Sequence, residues 1–197
     1  MKVEPITLTG HHIRLEPLRE AHTAGLAEAG RDPSIWRYIA YGDLSSTEKM
    51  GAWVQANLPG KSPGVELPFV VIHLESGQIA GSTRYLDIRA THRSLEIGGT
   101  WYGTAFQRTA VNTEAKYLLL RHAFETLGCI RVQLKTDMRN ERSQKAIERI
   151  GAVREGVLRN HMIMPDGVYR DSVFFSILDR EWPTVKTCLE GLMTNYG

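Results

Sequence analysis

A glutamate in a strand-like run is well placed in this sequence for acid–base chemistry. The run LEIGGTWY alternates in two-residue steps, which places Glu96, Gly98, Thr100 and Tyr102 on one face of the predicted strand. A carboxylate can accept a proton from a reacting group when its surroundings raise its pKa toward the working pH. The alternative interpretation is that Glu96 is only solvated or ion-paired, for instance with Arg84 on a neighbouring strand.

The same run contains two consecutive glycines, Gly98 and Gly99. Glycine inside a strand often marks a bulge or the close approach of a ligand. A strand that splays at this point would expose backbone N–H groups, and such groups can stabilise an oxyanion.

The junction that follows this strand has the features of an anion site. The segment Trp101–Ala115, WYGTAFQRTAVNTEA, leads from the end of the strand through a loop into a long helix, predicted to open at Asn112 or Thr113. The first N–H groups of a helix lack internal partners and the helix dipole is positive there, so a phosphate binds favourably. The alternative is a plain connection between strand and helix.

A serine near the start of a later helix is a further candidate. The run NERS opens the predicted helix Asn140–Ile150, which carries Ala146 and Ile147 on its apolar face. Ser143 precedes these two residues by three and four positions, so we expect it to face inward. The alternative is a helix-terminal serine that bonds to the backbone.

These residues must be positioned by alternating strands and helices, and the pattern predicts an α/β fold whose mixed sheet carries helices on both faces. Short turns between the early strands indicate an antiparallel meander. The predicted strands are His11–Pro17, Pro68–Leu74, Ile79–Ile88, Leu95–Tyr102, Arg131–Thr136, Ala152–Met162 and Tyr169–Ile177. The predicted helices are Arg19–Ala29, Ser45–Asn57 with Ser45 as N-cap, Thr113–Leu127, Asn140–Ile150 and one that starts near Trp182.

Length and composition favour one globular domain over residues 1–197, with 42% hydrophobic and 23% charged residues. The net charge of +2 comes from interspersed residues without a basic tail, so no nucleic-acid partner is expected. The apolar runs are too short to cross a membrane, and Met1–Thr9 does not resemble a signal peptide, so we expect a cytoplasmic protein. Cys129 and Cys188 form no metal-binding pattern, and no metal is expected.

The order of elements and the segment after the third meander strand resemble the GNAT superfamily of N-acetyltransferases. The pyrophosphate loop of that family has the pattern Q/R-x-x-G-x-G/A, onto which Gln107–Asn112, QRTAVN, aligns with Gln107 first. Ala110 and Asn112 stand where the pattern prefers small glycines, which permit unusual φ angles and close backbone approach. The runs Asn112–Phe124 and Arg139–Ile177 are similar to the RimJ/RimL-type subgroup, and the similarity extends over most of the chain from His11 to Trp182.

The resemblance implies a GNAT fold with a mixed, mostly antiparallel sheet of six to seven strands, and acetyl-CoA as cosubstrate. It implies direct transfer of acetyl to a primary amine of a small molecule or a protein N-terminus. Glu96 then matches the base and Ser143 the group beside the sulfur, with Asn140 near the pantetheine amides. The cofactor-binding residues implied are Trp101, Tyr102, Gln107, Arg108, Thr109, Ala110, Val111, Asn112, Thr113, Asn140 and Ser143.

The acceptor site implied by the resemblance lies under an aromatic loop that contains Trp36, Tyr38 and Tyr41, although aromatic residues in a loop are also common as core plugs. A rival function from another class is a non-catalytic acyl-CoA-binding or sensing module that keeps the fold. A Rossmann-type dinucleotide binder is disfavoured because no G-x-G-x-x-G follows the first strand. The sequence is compatible with a homodimer and does not fix the oligomeric state.

Overall fold

The computed structural model of the protein describes residues 1–61 and 64–194, which contain one mixed sheet of eight strands in the order β1-β2-β3-β4-β5-β6-β8-β7. The strands are β1 (Leu8–Thr9), β2 (Ile13–Pro17), β3 (Leu67–His73), β4 (Ile79–Arg89), β5 (Ser94–Tyr102), β6 (Arg131–Asp137), β7 (Val153–Ile163) and β8 (Tyr169–Leu178). The α-helices are α1 (Thr23–Ala29), α2 (Thr47–Asn57), α3 (Ala110–Arg121), α4 (Glu141–Arg149) and α5 (Trp182–Thr194). The predicted fold class and the antiparallel meander are confirmed.

The eighth strand arises at the start of the chain. The sequence predicted one strand over His11–Pro17, whereas the chain turns at Gly10, whose N–H donates to the carbonyl of Ile13. This turn lets Leu8–Thr9 fold back onto β2 as a two-residue strand. The predicted count of six to seven strands is therefore one to two short.

One pair of strands in the sheet, β5 and β6, runs parallel, and the other recorded pairs are antiparallel. Parallel neighbours need a long crossover, which α3 supplies. The carboxyl ends of β5 and β6 therefore lie at the same edge of the sheet, and α3 and α4 begin there.

Two apolar clusters lie on opposite faces of the sheet. The larger cluster joins strand residues to α3 and α5, for example through Leu119 and Leu189. The smaller one joins α1 and α2 to β3 and β5 and contains Met50 and Trp101. The longest described helix, α5, has 13 residues, and no helix within the described ranges is long and apolar enough to span a membrane.

The predicted helix Arg19–Ala29 begins only at Thr23, after a 3-10 turn over Glu20–His22, and two further predicted helix starts are wrong by one to three residues. The N-cap of α2 is Ser46, not Ser45, and its hydroxyl accepts from the N–H of Lys49 at 3.2 Å. The helix predicted to open at Asn112 or Thr113 begins at Ala110, because the Thr109 hydroxyl accepts from the N–H of Val111 and caps it. After Arg121, α3 continues into the π-helical turn His122–Thr126.

Candidate active site

The strands β5 and β6 are paired over a short stretch and then separate. Their recorded pairing covers Ser94–Arg131, Leu95–Val132 and Glu96–Gln133. Beyond Glu96, β5 contains Gly99 with φ +56°, and its register against β4 shifts between Ser82 and Arg84. The bulge predicted from the two glycines is confirmed, and it lies where the two parallel strands part.

Side chains of β5 that follow the bulge lie on the face opposite to the one that the alternation before it predicts. An inserted residue shifts the two-residue alternation by one, so that residues beyond it change face. Tyr102 accordingly packs in the same cluster as Ile97, whereas Trp101 belongs to the cluster on the other face. The predicted common face for Glu96, Thr100 and Tyr102 is therefore wrong.

Tyr41 holds the bulge in one orientation. Its hydroxyl donates a hydrogen bond of 2.8 Å to the carbonyl of Gly99. Burial raises the pKa of Tyr41 to about 12, although the nearby Arg84 guanidinium acts in the opposite direction. The phenol therefore stays protonated at neutral pH and can act as the donor.

Glu96 is buried, with 2% of its surface exposed, and its carboxylate is ion-paired. The ammonium of Lys135 lies 2.7 and 2.8 Å from its two oxygens, and the amide of Gln133 donates to one of them at 2.8 Å. The suggested partner Arg84 instead bonds Asn57 and Glu66, at 2.8 and 2.9 Å. An ion pair is thus present at Glu96, but with Lys135.

Further polar groups continue this face of the sheet across β6 to β8. Asp137 accepts three hydrogen bonds of 2.7 to 2.9 Å from Arg139. His161 contacts the Ser172 hydroxyl at 3.0 Å, and that hydroxyl also accepts from Nε of Arg170 at 3.0 Å. Burial lowers the pKa of His161, as do the nearby cations, so its imidazole is neutral at pH 7.

In the loop after β5, the side chain of Gln107 bonds both to the end of β5 and to α4. Its side-chain amide donates to the carbonyl of Tyr102 at 3.0 Å, and its side-chain oxygen accepts from Arg142 of α4 at 2.8 Å. The next residue, Arg108, is exposed and takes a left-handed backbone conformation with φ +62°. This turn precedes the Thr109 cap directly and shapes the mouth of α3.

The first turn of α3 combines buried side chains with open backbone groups. Ala110 and Val111 are 7% and 1% exposed and pack inward. The N–H of Val111 bonds to Thr109, while those of Ala110 and Asn112 belong to the N–H groups that a helix leaves without internal partners. Thr113 is buried and accepts from Arg149 at 3.1 Å, so its side chain links α3 to α4.

At the start of α4, Asn140 serves as the helix cap. Its side-chain oxygen accepts from the N–H of Ser143 at 3.1 Å. Ser143 is half-buried, and its hydroxyl has no hydrogen-bond partner among residues 1–61 and 64–194. The Gln107–Arg142 bond places this turn beside the loop that opens α3.

The aromatic loop divides into a core residue and two residues near the site. Trp36 is buried, packs 4.8 Å from Trp101 between ring centroids, and donates to the carbonyl of Gly30. It is a core plug, the alternative that the sequence left open. Tyr38 instead lies under the guanidinium of Arg139, 5.9 Å from its ring centroid, while Tyr41 reaches the bulge.

The sequence analysis missed three groups that complete this site, Gln133, Lys135 and Arg170. The alternation of β6 could have identified the first two, because the run RVQLKTD has a polar residue at every second position, and these residues share one face of a strand. The register of β5 against β6 puts this polar face beside Glu96. No comparable signal marks Arg170.

Comparison with known proteins agrees with this arrangement. The family model described as "Acetyltransferase (GNAT) domain" matches residues 12–153. A curated relative, the "Putative ribosomal N-acetyltransferase YdaF" of Bacillus subtilis (strain 168), is 33% identical over 109 residues, which are 55% of this chain and 58% of that protein. The chain thus spans little more than half the length of this curated relative.

Solved structures extend the similarity over the whole fold. A "putative acetyltransferase" from T. thermophilus is 40% identical with a TM-score of 0.89, covering 98% of this chain and 100% of that one. A GCN5-related N-acetyltransferase from Brucella melitensis is 28% identical with a TM-score of 0.91, covering 98% and 87%. Mycobacterium smegmatis RimJ in complex with CoA-disulfide, 20% identical with a TM-score of 0.80 over 95% of each chain, shares the fold. The predicted resemblance is confirmed, and this chain belongs to the GNAT family of acetyltransferases.

Proposed function

We propose that the chain acts in the cytoplasm as a single-domain N-acetyltransferase that moves acetyl from acetyl-CoA directly to a primary amine, on a small molecule or a protein N-terminus. The observation that carries this proposal is the bulge at Gly99. It lies between the point where β5 and β6 separate and the open N-terminus of α3.

The phosphates of the cosubstrate are assigned to the mouth of α3. The open N–H groups of Ala110 and Asn112 and the positive end of the helix dipole favour an anion there. Arg108 adds an exposed guanidinium next to them. The helix begins at residue 110, so Ala110 is its first residue, and a glycine there is not required to form the cap.

The thioester is assigned to the gap between β5 and β6. Past Glu96 the facing backbone groups of these strands are free of each other and can bond the pantetheine amides and the thioester oxygen. Because Tyr41 fixes the Gly99 carbonyl, the N–H of the next residue is fixed in the opposite direction. A fixed N–H donor is what stabilises the negative charge that develops on the thioester oxygen.

Glu96 is assigned as the base that receives the proton of the attacking amine, directly or through a water. Its position on β5 lies three residues before the bulge. Its carboxylate pairs with the ammonium of Lys135 at 2.7 Å, and a carboxylate oxygen is a group that can accept a proton. Both partners, Lys135 and Gln133, are side chains that can move aside for an acceptor amine.

Ser143 is assigned to the departing sulfur. It lies in the first turn of α4, at the edge of the sheet where β5 and β6 end. Its hydroxyl is free of protein partners in the described chain and can donate to a thiolate. Asn140 contributes through its cap, which fixes the turn that carries Ser143.

The cosubstrate assignment is tested by a matched pair of variants at the first residue of α3. Ala110→Pro removes one N–H at a position where proline suits a helix, and Thr109 before it is extended as proline requires. We expect acetyl-CoA affinity to fall about 5- to 30-fold, the loss of one charge-assisted hydrogen bond. Ala110→Gly keeps the N–H and should bind like the parent protein.

Thermal stability gives the direct measurement. At a ligand concentration about 100 times Kd, acetyl-CoA should stabilise the parent protein by roughly 2.7 kcal/mol, and nicotinamide dinucleotides should do much less. An unchanged melting temperature in saturating acetyl-CoA contradicts the assignment. Binding of acetyl-CoA without acetylation of any amine in a broad panel would support the non-catalytic sensing module instead.

A further inference from the structure

Arg170 is a buried arginine whose charge has no direct counter-ion within residues 1–61 and 64–194. The residue is 6% exposed, and its Nε donates to the Ser172 hydroxyl at 3.0 Å. Its two terminal nitrogens have no hydrogen-bond partner in the part of the chain that the structure describes. Unlike Nε and Nη2 of the buried Arg84, they are not sealed from solvent.

The two carboxylates that act electrostatically on Arg170 already accept hydrogen bonds from other side chains. Asp137 takes its hydrogen bonds from Arg139, and Glu96 takes its own from Lys135 and Gln133. Burial lowers the pKa of Arg170, and Arg139 acts in the same direction, while Asp137 and Glu96 oppose them. A buried cation without a bonded partner is unfavourable, and such groups cluster where a ligand supplies the missing charge.

The topology puts this guanidinium in the acceptor region. Arg170 lies near the start of β8, which is antiparallel to β6, and Ser172 pairs with Asp137 at the carboxyl end of β6. Arg170 is therefore at the same edge of the sheet as the bulge and the mouth of α3. The register pairs Glu96 with Gln133 and Asp137 with Ser172, and Arg170 lies two residues before Ser172 and bonds its hydroxyl, so Arg170 and Glu96 share one polar face of the sheet.

The aromatic loop lies beside this polar face. The ring of Tyr38 lies under Arg139, and a Cβ added at Gly42 would come 3.4 Å from Pro165, in the turn before β8. The loop thus lies beside Arg139, which bonds Asp137 of β6, and near the turn that precedes β8 and Arg170. A substrate between loop and sheet would be enclosed, and its charge would be paired by protein groups instead of water.

We propose that Arg170 binds a carboxylate of the acceptor, and that the preferred acceptors are amines with a carboxylate a few atoms from the reacting nitrogen. The inference rests on the proposed N-acetyltransferase function. A guanidinium with two free terminal nitrogens matches a carboxylate in bidentate fashion, which an ammonium does not. The carboxylate has two sources, a free amino acid or an acidic side chain at the start of a peptide.

The experiment measures kcat/KM for matched amine pairs with acetyl-CoA. One arm compares free amino acids with their carboxamides, and the other compares tripeptides that begin with Asp or Glu with those that begin with Asn or Gln. We expect the parent protein to prefer the carboxylate member by at least about tenfold in one arm, which identifies the source.

The variant Arg170→Met should remove this preference. Turnover of the carboxylate acceptor should fall about 10- to 100-fold in kcat/KM, mainly through KM, while the neutral partner keeps its rate. Arg170→Lys keeps the charge but not the bidentate geometry, so we expect an intermediate loss; it also covers the case in which Arg170→Met does not fold. Arg154→Met, at an exposed site on β7, is the matched control and should change nothing.

Equal losses for both members of a pair, or a parent protein that acetylates only neutral amines, would overturn the inference and leave the transferase function intact. A protein that binds acetyl-CoA and acetylates no member of any pair and no other amine would overturn the proposed function itself. A preference for carboxylates that Arg170→Met leaves at full strength would also exclude Arg170 as the recognition residue.

Discussion

Two glutamates of this protein are equally buried, but their carboxylates accept hydrogen bonds from different kinds of donor. Glu96 and Glu114 are each 2% exposed. The carboxylate of Glu114, on α3, accepts three backbone N–H groups, from His11, His12 and Ile13 at 2.7 to 2.8 Å. Glu96 accepts from side chains only, and one of them carries a full charge.

The difference supports the proposed distinction between a structural carboxylate and a reactive one. Backbone donors are fixed by the fold and cannot leave, so Glu114 holds the turn before β2 onto α3. The side-chain donors of Glu96 can rotate away and be replaced by a substrate ammonium. Burial alone therefore does not distinguish the two glutamates, whereas the kind of donor does: backbone N–H groups at Glu114 and side chains at Glu96.

Substitution by Gln should lower kcat at Glu96 and stability at Glu114, and the loss of kcat is the largest effect that we expect. Glu96→Gln keeps the size of the side chain and removes the base. We expect kcat on a confirmed amine to fall about 10²- to 10⁴-fold with acetyl-CoA affinity nearly unchanged. In the parent enzyme and the variant alike, kcat/KM should rise with pH as the acceptor amine loses its proton. Parental kcat in Glu96→Gln would refute its role as base.

Glu114→Gln should instead destabilise the fold. The amide carries one oxygen fewer, and its NH₂ group would face a backbone N–H donor. We expect the free energy of unfolding to drop by about 1–3 kcal/mol, measured by denaturant titration. The kcat per folded molecule should match the parent enzyme. A loss of kcat at unchanged stability would erase the distinction between the two glutamates.

The buried Lys116, whose partner is a neutral hydroxyl, should make the stability of the fold depend on pH. Lys116 is 6% exposed and donates to the Thr100 hydroxyl at 2.8 Å, which in turn contacts Thr83. Burial lowers the pKa of Lys116 to about 7, far below the value of about 10.4 expected in the unfolded chain. Between these values the unfolded chain holds a proton that the folded chain lacks, so stability should rise with pH.

Lys116→Met should remove that rise, which for one proton is about 1.4 kcal/mol per pH unit between pH 7 and 10. The free energy of unfolding of parent and variant at several pH values provides the measurement. Lys145→Met, at an exposed site on α4, serves as control and should keep the parental slope. Parallel slopes for parent and Lys116→Met would show that the lysine stays charged in the fold.

Local sequence signals predicted the elements well, because hydrophobic period and turn residues act over short distances. Strands β3 to β5 and the bulge at Gly98–Gly99 are confirmed within one residue at most ends. The start of α3 was missed because the capping hydroxyl belongs to Thr109, whereas the sequence weighed Asn112 and Thr113 as equally good openings. Cap choice between neighbouring polar residues depends on loop geometry that the sequence does not display.

The partners of the site residues were harder to foresee than their positions. Glu96 was proposed from the sequence, but its partner Lys135 is 39 residues away, and only the parallel register of β5 and β6 joins them. The change of face at Tyr102 follows from one inserted residue, whose place depends on the φ angle of Gly99. Long-range pairing and local backbone twist both arise from tertiary packing.

Tyr41→Phe probes the bulge with a smaller expected effect. The ring keeps its place beside Arg84, 5.4 Å from the guanidinium, but the Gly99 carbonyl loses its donor. One neutral hydrogen bond contributes about 1 kcal/mol, so we expect kcat to fall about fivefold with little change in acetyl-CoA affinity. Tyr117→Phe, which removes an exposed bond to Glu190, should leave kcat unchanged. A change in acetyl-CoA affinity with unchanged kcat would indicate that Tyr41 supports binding of the cosubstrate and not the reaction at the thioester carbonyl.

Ser143→Ala should have the smallest effect, about threefold on kcat, because the leaving group needs little help. A thiol has a pKa near 8.5, so a thiolate can depart at neutral pH without a proton already in place, whereas the amine cannot attack until its proton is gone. The N–H of Ser143 still bonds to Asn140 in the variant, so α4 keeps its cap and acetyl-CoA affinity should persist. Comparing kcat with the exposed control Ser34→Ala isolates the hydroxyl. A loss as large as that of Glu96→Gln would mean that sulfur departure limits the reaction, and the contrast between the two buried glutamates would no longer locate the critical proton transfer.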